Sequence, residues 1–554
     1  MFDRLFRNGT VVDGTGAPAF RADVAVQGEK IAAVEPGIDA EKARAVHDIS
    51  GLYLAPGFID LHTHSDFPLL LDGRALSAVY QGVTTQVIGN CGFAPAPLRQ
   101  PEDIRRNVFC FQGPFSPEWR DFGDFLAYFN RIETGTNTAV LAGHGALHSW
   151  AAGYENRTAT EEELQRIDHQ LRTALEAGAF GLSTGLEYAP GSNADPRELH
   201  MLCSTVAEYG GLYATHVRNR DEKYRSGYSE AFDTARKTGV RLQISHAVPK
   251  YGAPDIAAHW FLEQLHHEAR TGGSLESKAF EGAFEAVFEA ASEAAEKGTA
   301  ADVIPYEWGP TSLSAILPKE LLQFSPSEIA VQLGSAEVRS RVINQERPFW
   351  LHFRDQLWDQ ILLYHSVKFP ELVGRNGYEI GDYFKTDPFN GLLSILEEEG
   401  ASMFSVLMMG KIKRRDHLDL IIRDPLVGVI SDAMSLAVEG PLASVIWSPG
   451  CYGWVPRFFN EFVGEGKALT LEEGTYKITG FPARRLGLKD RGVIRAGAAA
   501  DIVIFDPAKL EERASMQEPR QYAGGFTQVL CNGVPTLKEG SCTGSLPGRL
   551  LRRR

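Results

Sequence analysis

The chain is poor in cysteine, has no surplus of positive charge and lacks any long apolar run, and each shortage removes a class of protein. Six cysteines, Cys91, Cys110, Cys203, Cys451, Cys531 and Cys542, are scattered over 554 residues. That is too sparse for a disulfide framework and fits a reducing compartment. Lys and Arg number 56 against 71 Asp and Glu, a formal net charge of -15. Nucleic acid or an anionic membrane surface would select a basic face, so neither is expected as a partner; the closing GRLLRRR reads as a solvated terminus. No apolar stretch approaches the roughly 18 residues of a membrane span. The opening MFDRLFRNGTVVDGTG has no long apolar core of a signal peptide, and a cytoplasmic protein is expected.

What is present is a globular composition, 44% hydrophobic and 23% charged, over a length that predicts one large domain with a smaller companion. Residues 1–55 carry short alternating runs punctuated by glycine, GTVVDGTG, ADVAVQGEKIAAVEPG and HDISGLYLAPG, and residues 481–554 repeat that texture in GVIRAGAAADIVIFDP and FTQVLCNGVPTLKEG. Both ends together predict a small β-sandwich. Between them, over 56–480, eight strand-like runs alternate with helical stretches: PGFIDLHTH, VTTQVIGNC, NTAVLAGHG, AFGLSTGLE, GLYATHV, VRLQISHA, ADVIPYE and LVGVISDA. The expected fold is α/β, a (β/α)8 TIM-like barrel with a β-sandwich formed by both chain termini. The connection at about 307–426 is too long for one helix and is expected to act as a wall or lid. A second long connection, about 253–300, contains LESKAFEGAFEAVFEAASEAAEKG, which reads as helix.

In a strand, residues two apart face the same side, so His62 and His64 in LHTHSD project together. Taken singly, a His-x-His pair is weak evidence for a metal. The strand-end position recurs, however: Cys91 closes the second run, His216 the fifth, His246 the sixth and Asp432 the eighth. Alone, Cys91 would pass for an inert buried thiol, Asp432 for a helix N-cap, and either histidine for a satisfied core residue. In a barrel all these ends converge on the catalytic face, and the set points to a metal site.

The segments PGFIDLHTHSD, VIGNCGFAPAP, ATHVRN, QISHA and VISDA, in this order, with GVIRAGAAADIVIFDP and the closing PGRLLR, resemble the D-aminoacylase (N-acyl-D-amino-acid deacylase) family of the amidohydrolase superfamily over nearly the whole chain. The resemblance implies zinc-dependent hydrolysis of a small-molecule N-acyl amide, with Asp432 as general base and acid. It implies one tight zinc site on Cys91, His216 and His246, and a second, weaker position beside His62 and His64. Asn-Cys-Gly sets this pattern apart from dihydroorotases and hydantoinases, which bridge two metals with a carboxylated lysine. Cyclic-amide hydrolysis is therefore the alternative that Cys91 disfavours. A catalytically silent binding protein is disfavoured by the intact set.

The family pattern also suggests substrate residues. DVIPYEWGPTS matches a stretch whose tyrosine and serine line the substrate site, pointing to Tyr306 and Ser312. The lysine that follows the sixth-strand histidine in the family is displaced here by two residues, to Lys250 in SHAVPKYG, whereas His144 in AGHG reads as packing. In WSPGCYGWVPRFFNEF, Gly450 stands where D-specific members carry an arginine for the substrate carboxylate. That departure predicts substrates without a free carboxylate, held by an aromatic wall of Trp447, Tyr452 and Trp454. Alternatively, Arg457 or Arg354 supplies the charge from another direction.

Overall fold

A computed structural model describes residues 1–112, 115–270 and 298–553. Eight parallel strands form the barrel; seven fall within the predicted runs, and the seventh in order begins one residue ahead of its run, at Ala300. Phe58–Asp60, Val83–Ile88 and Asn137–Val140 pair in that order. After Leu141 the third strand resumes as Ala142–Gly143, beside Gly181–Gly185, Leu212–His216, Arg241–Ile244, Ala300–Val303 and Val427–Val429. A parallel bridge between Thr63 and Ala433 joins the first and eighth positions. Ile59, Val87, Ala139, Leu141 and Ala214 share one buried cluster, so the barrel is filled with side chains and is no pore.

The helices follow the apolar period of their sequences. Glu161–Glu176 starts at a capping box in which Thr160 and Glu163 satisfy each other's backbone amides, and it buries Leu164, Ile167, Leu171, Ala174 and Leu175 along one stripe. The helix expected from LESKAFEGAFEAVFEAASEAAEKG falls, at 275–297, outside the described residues.

Strands from both ends of the chain share one seven-stranded sheet. Its order is Ser541–Cys542, Val534–Lys538, Phe526–Cys531, Ile502–Phe505, Tyr53–Pro56, Thr10–Val11 and Phe20–Arg21. A second sheet, of Lys30–Glu35, Asp23–Gln27, Arg4–Arg7 and Val46–Asp48, buries Phe6, Val24 and Val26 against Leu54, Ile502 and Leu530 of the first. The helix Gly480–Leu486 spans the expected division at 480. Its Ala483 and Leu486 belong to the barrel's inner cluster, because a short apolar helix here covers that end of the barrel.

The long connection after the seventh strand forms its own body. Gly309–Ser312, Leu407–Gly410 and Ile361–His365 make an antiparallel sheet, and the helices Pro326–Leu333 and Pro388–Glu399 pack Ile329, Leu392 and Leu396 into a separate core with Leu363 and Met408. Its last helix, Arg415–Arg423, instead buries Leu418, Ile421 and Ile422 in the main cluster as a barrel helix. No helix among the described residues is long and apolar enough to cross a membrane.

Candidate active site

The first barrel strand ends at Asp60 and the chain bends at Leu61 and His62, but hydrogen bonds to its neighbours continue. His64 N–H donates to Ala433 O at 2.8 Å, Thr63 N–H to Val87 O at 3.0 Å, and Asp432 N–H to His62 O at 3.0 Å. Neighbours on both sides thus fix residues 62–64 in place. His62 and His64 face the same cleft with ring centroids 5.5 Å apart.

Cys91 reaches the cleft through a turn that only a glycine-rich sequence can make. Gly89 and Gly92 sit at φ +81° and +77°; a Cβ on Gly89 would lie 2.1 Å from Leu141 O. Cys91 itself is left-handed at φ 51°, as are His246 at 37° and Asp432 at 49°. Non-glycine residues in this region are strained, and strain of this kind gathers at functional sites.

The donor atoms converge on one sulfur. Cys91 Sγ lies 3.3 Å from His62 Nε2, 3.3 Å from His246 Nε2 and 3.7 Å from His216 Nδ1. Asp432 Oδ1 lies 3.3 Å from His62 Nε2 and 3.2 Å from His64 Nε2. Two groups with metal-ligand chemistry result, His62–His64–Cys91–Asp432 and Cys91–His216–His246, sharing the thiol. Burial alone would raise the Cys91 thiol, but His62 and His246 hold it well below its usual range. Burial likewise opposes ionisation of Asp432, and the surrounding histidines, His246, His62 and His64, outweigh it and keep it a carboxylate. For His246 burial and Arg220 win, pulling it down to about 3 against the opposing pull of Cys91 and Asp432.

Several groups complete the cleft that sequence reasoning passed over. Glu187, two residues beyond the fourth strand, lies 2.5 Å from His216 Nε2 and pairs with Lys250 Nζ. Burial would raise this carboxyl, but Lys250 and His216 hold it well below the carboxylate range. Looking past every strand end, the fourth included, would have found it. Lys413 is brought in by the end of the insertion through an antiparallel bridge to Lys250 and donates to Tyr306 O at 3.2 Å. Burial pulls it down to about 7, with Asp432 opposing. Arg220 donates to His246 O at 2.5 Å. Nothing in the sequence around Lys413 marks it.

Of the substrate residues expected from sequence, Lys250 and Trp447 line the cleft beside Asp432. Trp447 Nε1–H donates to Asp432 O at 3.0 Å. Ser312 lines an outer chamber of about 130 Å³, separated from the inner cleft by Phe109, Tyr188 and Phe349, which face both. Tyr306, Tyr452 and Trp454 are not among the residues lining either space. Tyr306 donates to Glu512 at 2.9 Å, and Tyr452 packs on Tyr522. Trp454 is buried in the core, because 450–462 forms a helix and its aromatics fan out at about 100° per residue. Arg457 pairs with Glu461 and Glu512, and Arg354 with Glu222 and Asp355, away from the cleft. His144 and His148 both lie 2.8 Å from buried Glu198, outside it.

An eight-stranded barrel whose strand ends gather cysteine, histidine and aspartate into one buried cleft has the architecture of a barrel hydrolase. The chain belongs to the amidohydrolase family, whose model matches residues 45–302 and 441–537. The unmatched middle takes in the insertion and also the eighth barrel strand with Asp432. Over its full length the chain is 29% identical to a D-aminoacylase of Alcaligenes xylosoxydans xylosoxydans, covering 98% of that protein. It superposes on the zinc- and phosphonate-bound crystal structure of N-acyl-D-glutamate deacylase from Bordetella bronchiseptica with a TM-score of 0.78 at 27% identity, covering 100% of this chain and 99% of that one. A D-aminoacylase structure, described for one-metal activation and second-metal attenuation at a binuclear centre, gives 0.74 at 27% identity, with both chains fully covered.

Proposed function

We propose that this chain is a zinc-dependent amidohydrolase that cleaves the amide bond of N-acyl-D-amino acids or closely related N-acyl amides. The observation that carries the reading is the convergence of three imidazole nitrogens on Cys91 Sγ, with the Asp432 carboxylate shared by His62 and His64. The residues fit a metal: among the described residues, the inward nitrogens of His62 and His246 have no acceptor other than that thiolate and Asp432, and Nδ1 of His62, His64 and His246 make no hydrogen bond. Cys91, His216 and His246 would hold zinc tightly; His62 and His64, with Cys91 and Asp432, offer a second, weaker position. Zinc bound there supplies a water of lowered pKa and polarises the acyl carbonyl.

The chain's own residues do the rest. Asp432 takes the proton of the attacking water and returns it to the leaving amine, since the histidines keep it ionised between turnovers. Glu187 orients His216 from behind, as an outer carboxylate does for a ligating imidazole. Phe109 and Trp447 crowd His64, ring centroids 4.9 and 6.0 Å away, and exclude water from that side. Free, widely scattered cysteines support a cytoplasmic setting, where the thiol stays reduced.

The zinc-loaded protein is expected to release amine from N-acyl-D-amino acids or their carboxamides, to stop when zinc is chelated, and to recover when it is returned. A metal-replete protein that hydrolyses no member of a paired D and L panel overturns the reading.

A further inference from the structure

The inner cleft holds an imbalance of charge. Glu187 is committed to Lys250 and His216, and Asp432 to two histidines. Two further cations, Arg220 and Lys413, line the same cleft, 3% exposed each. Among the described residues, neither has a carboxylate oxygen within 4.0 Å. Among the described residues, Arg220 spends one nitrogen on His246 O and leaves Nε without a partner, and Lys413 has a single acceptor, Tyr306 O. Buried like charges that face one another without a counter-ion are costly, and an anion arriving between them removes that cost.

Position limits what the anion can be. Lys413 and Lys250 are bridged backbone to backbone, and Tyr251 N–H donates to Ile412 O at 2.8 Å, so the end of the insertion is stitched to the loop after the sixth barrel strand. Lys413 therefore stands on a fixed wall, in one cleft with Cys91, His246 and Asp432. Phe109, Tyr188, Phe349, Trp350 and Trp447 wall this cleft around the cations and the catalytic groups together, so the anion belongs to the same molecule that meets Cys91, His246 and Asp432. A carboxylate one carbon from the scissile nitrogen of an N-acyl amino acid meets that condition. Gly450 contributes no charge, and Arg457 and Arg354 are held elsewhere.

We infer that Lys413, backed by Arg220, is the specificity-determining residue of this chain and binds the α-carboxylate of an N-acyl amino acid. The inference rests on the hydrolase reading above for the identity of its ligand. It assigns to the insertion a chemical role, delivering the cation that selects free acids over amides, and it replaces the expectation of a carboxylate-free substrate.

Binding can be measured apart from turnover. In zinc-loaded Asp432→Asn protein, calorimetric titration with N-acetyl-D-leucine and N-acetyl-D-leucinamide is expected to favour the acid by tenfold or more. Adding Lys413→Gln should weaken the acid by about 10- to 100-fold, the scale of a lost charged hydrogen bond, and leave the amide within about threefold. Lys413→Met, which keeps the stem, should do the same, and retained amide binding and zinc content show that either variant is folded. Equal affinity for both probes, no binding of either, a preference that survives both substitutions, or parallel loss of both probes in both variants overturns the inference. An acid preference that depends on Lys413 in a protein that hydrolyses nothing would sustain it while the hydrolase reading fails.

Discussion

At the scale of single residues, the site consists of groups whose ordinary protonation is overruled by their neighbours. Asp432→Asn is the sharpest probe, because asparagine tolerates the left-handed backbone that residue 432 adopts. Turnover is expected to fall by about 10²- to 10⁴-fold with zinc content unchanged by elemental analysis. Full activity in the variant removes the carboxylate from proton transfer. Cys91→Ala should behave differently, losing zinc and activity together, since three imidazoles would face a methyl group; unchanged stoichiometry would make the thiol a bystander. That His62, His64, Cys91, His216, His246 and Asp432 gather in one place was legible in sequence, because each lies near the end of a strand-like run, and strand ends of a barrel have one destination. Lys413 was not legible, because its place depends on how a whole insertion folds back. Tyr452 and Trp454 misled for a local reason: spacing alone does not say that 450–462 is a helix, which turns both into the core.

At the scale of elements, the barrel strands could be read from their apolar runs, while the turns that aim the ligands could be read only in part. Asn-Cys-Gly marks Cys91 as special, but not that Gly89 must touch the next strand. Gly89→Ala places a methyl 2.1 Å from Leu141 O in a backbone conformation that alanine resists. The variant is expected to lose stability by about 1–3 kcal/mol or more from strain alone, read from its urea midpoint, and to bind zinc more weakly because the displaced turn carries Cys91. Wild-type zinc affinity in a stably folded variant would mean that the turn does not set the site. The insertion's extent was legible to within a helix: Arg415–Arg423 was counted with it, yet packs as a barrel helix, since its apolar stripe matches the barrel side and its own run gives no hint of which core it joins.

At the scale of the whole molecule, the terminal sheets and the barrel are tied through one buried carboxylate. Asp501 pairs with Arg491, accepts from Asn532 N–H at 2.6 Å, and accepts from Asn137 of the third barrel strand at 3.2 Å. Removing one partner of a buried ion pair costs about 3–5 kcal/mol, so Asp501→Ala should lower the free energy of unfolding by that much, read from a urea titration. A loss under about 1 kcal/mol would show the tie to be dispensable. The pairing of the chain's two ends was legible from their shared alternation, whereas this tie was not, because Asn137 and Asp501 lie far apart in sequence. That same sheet sets a timetable for synthesis. Tyr53–Pro56 leaves the ribosome early, but its partner Ile502–Phe505 emerges only after the entire barrel. At about 5–20 residues per second the wait is on the order of a minute, during which an apolar strand edge has no neighbour. A nascent chain of this design needs shelter for that interval, and starving the cell of holding chaperones should reduce its soluble yield long before it affects the finished enzyme.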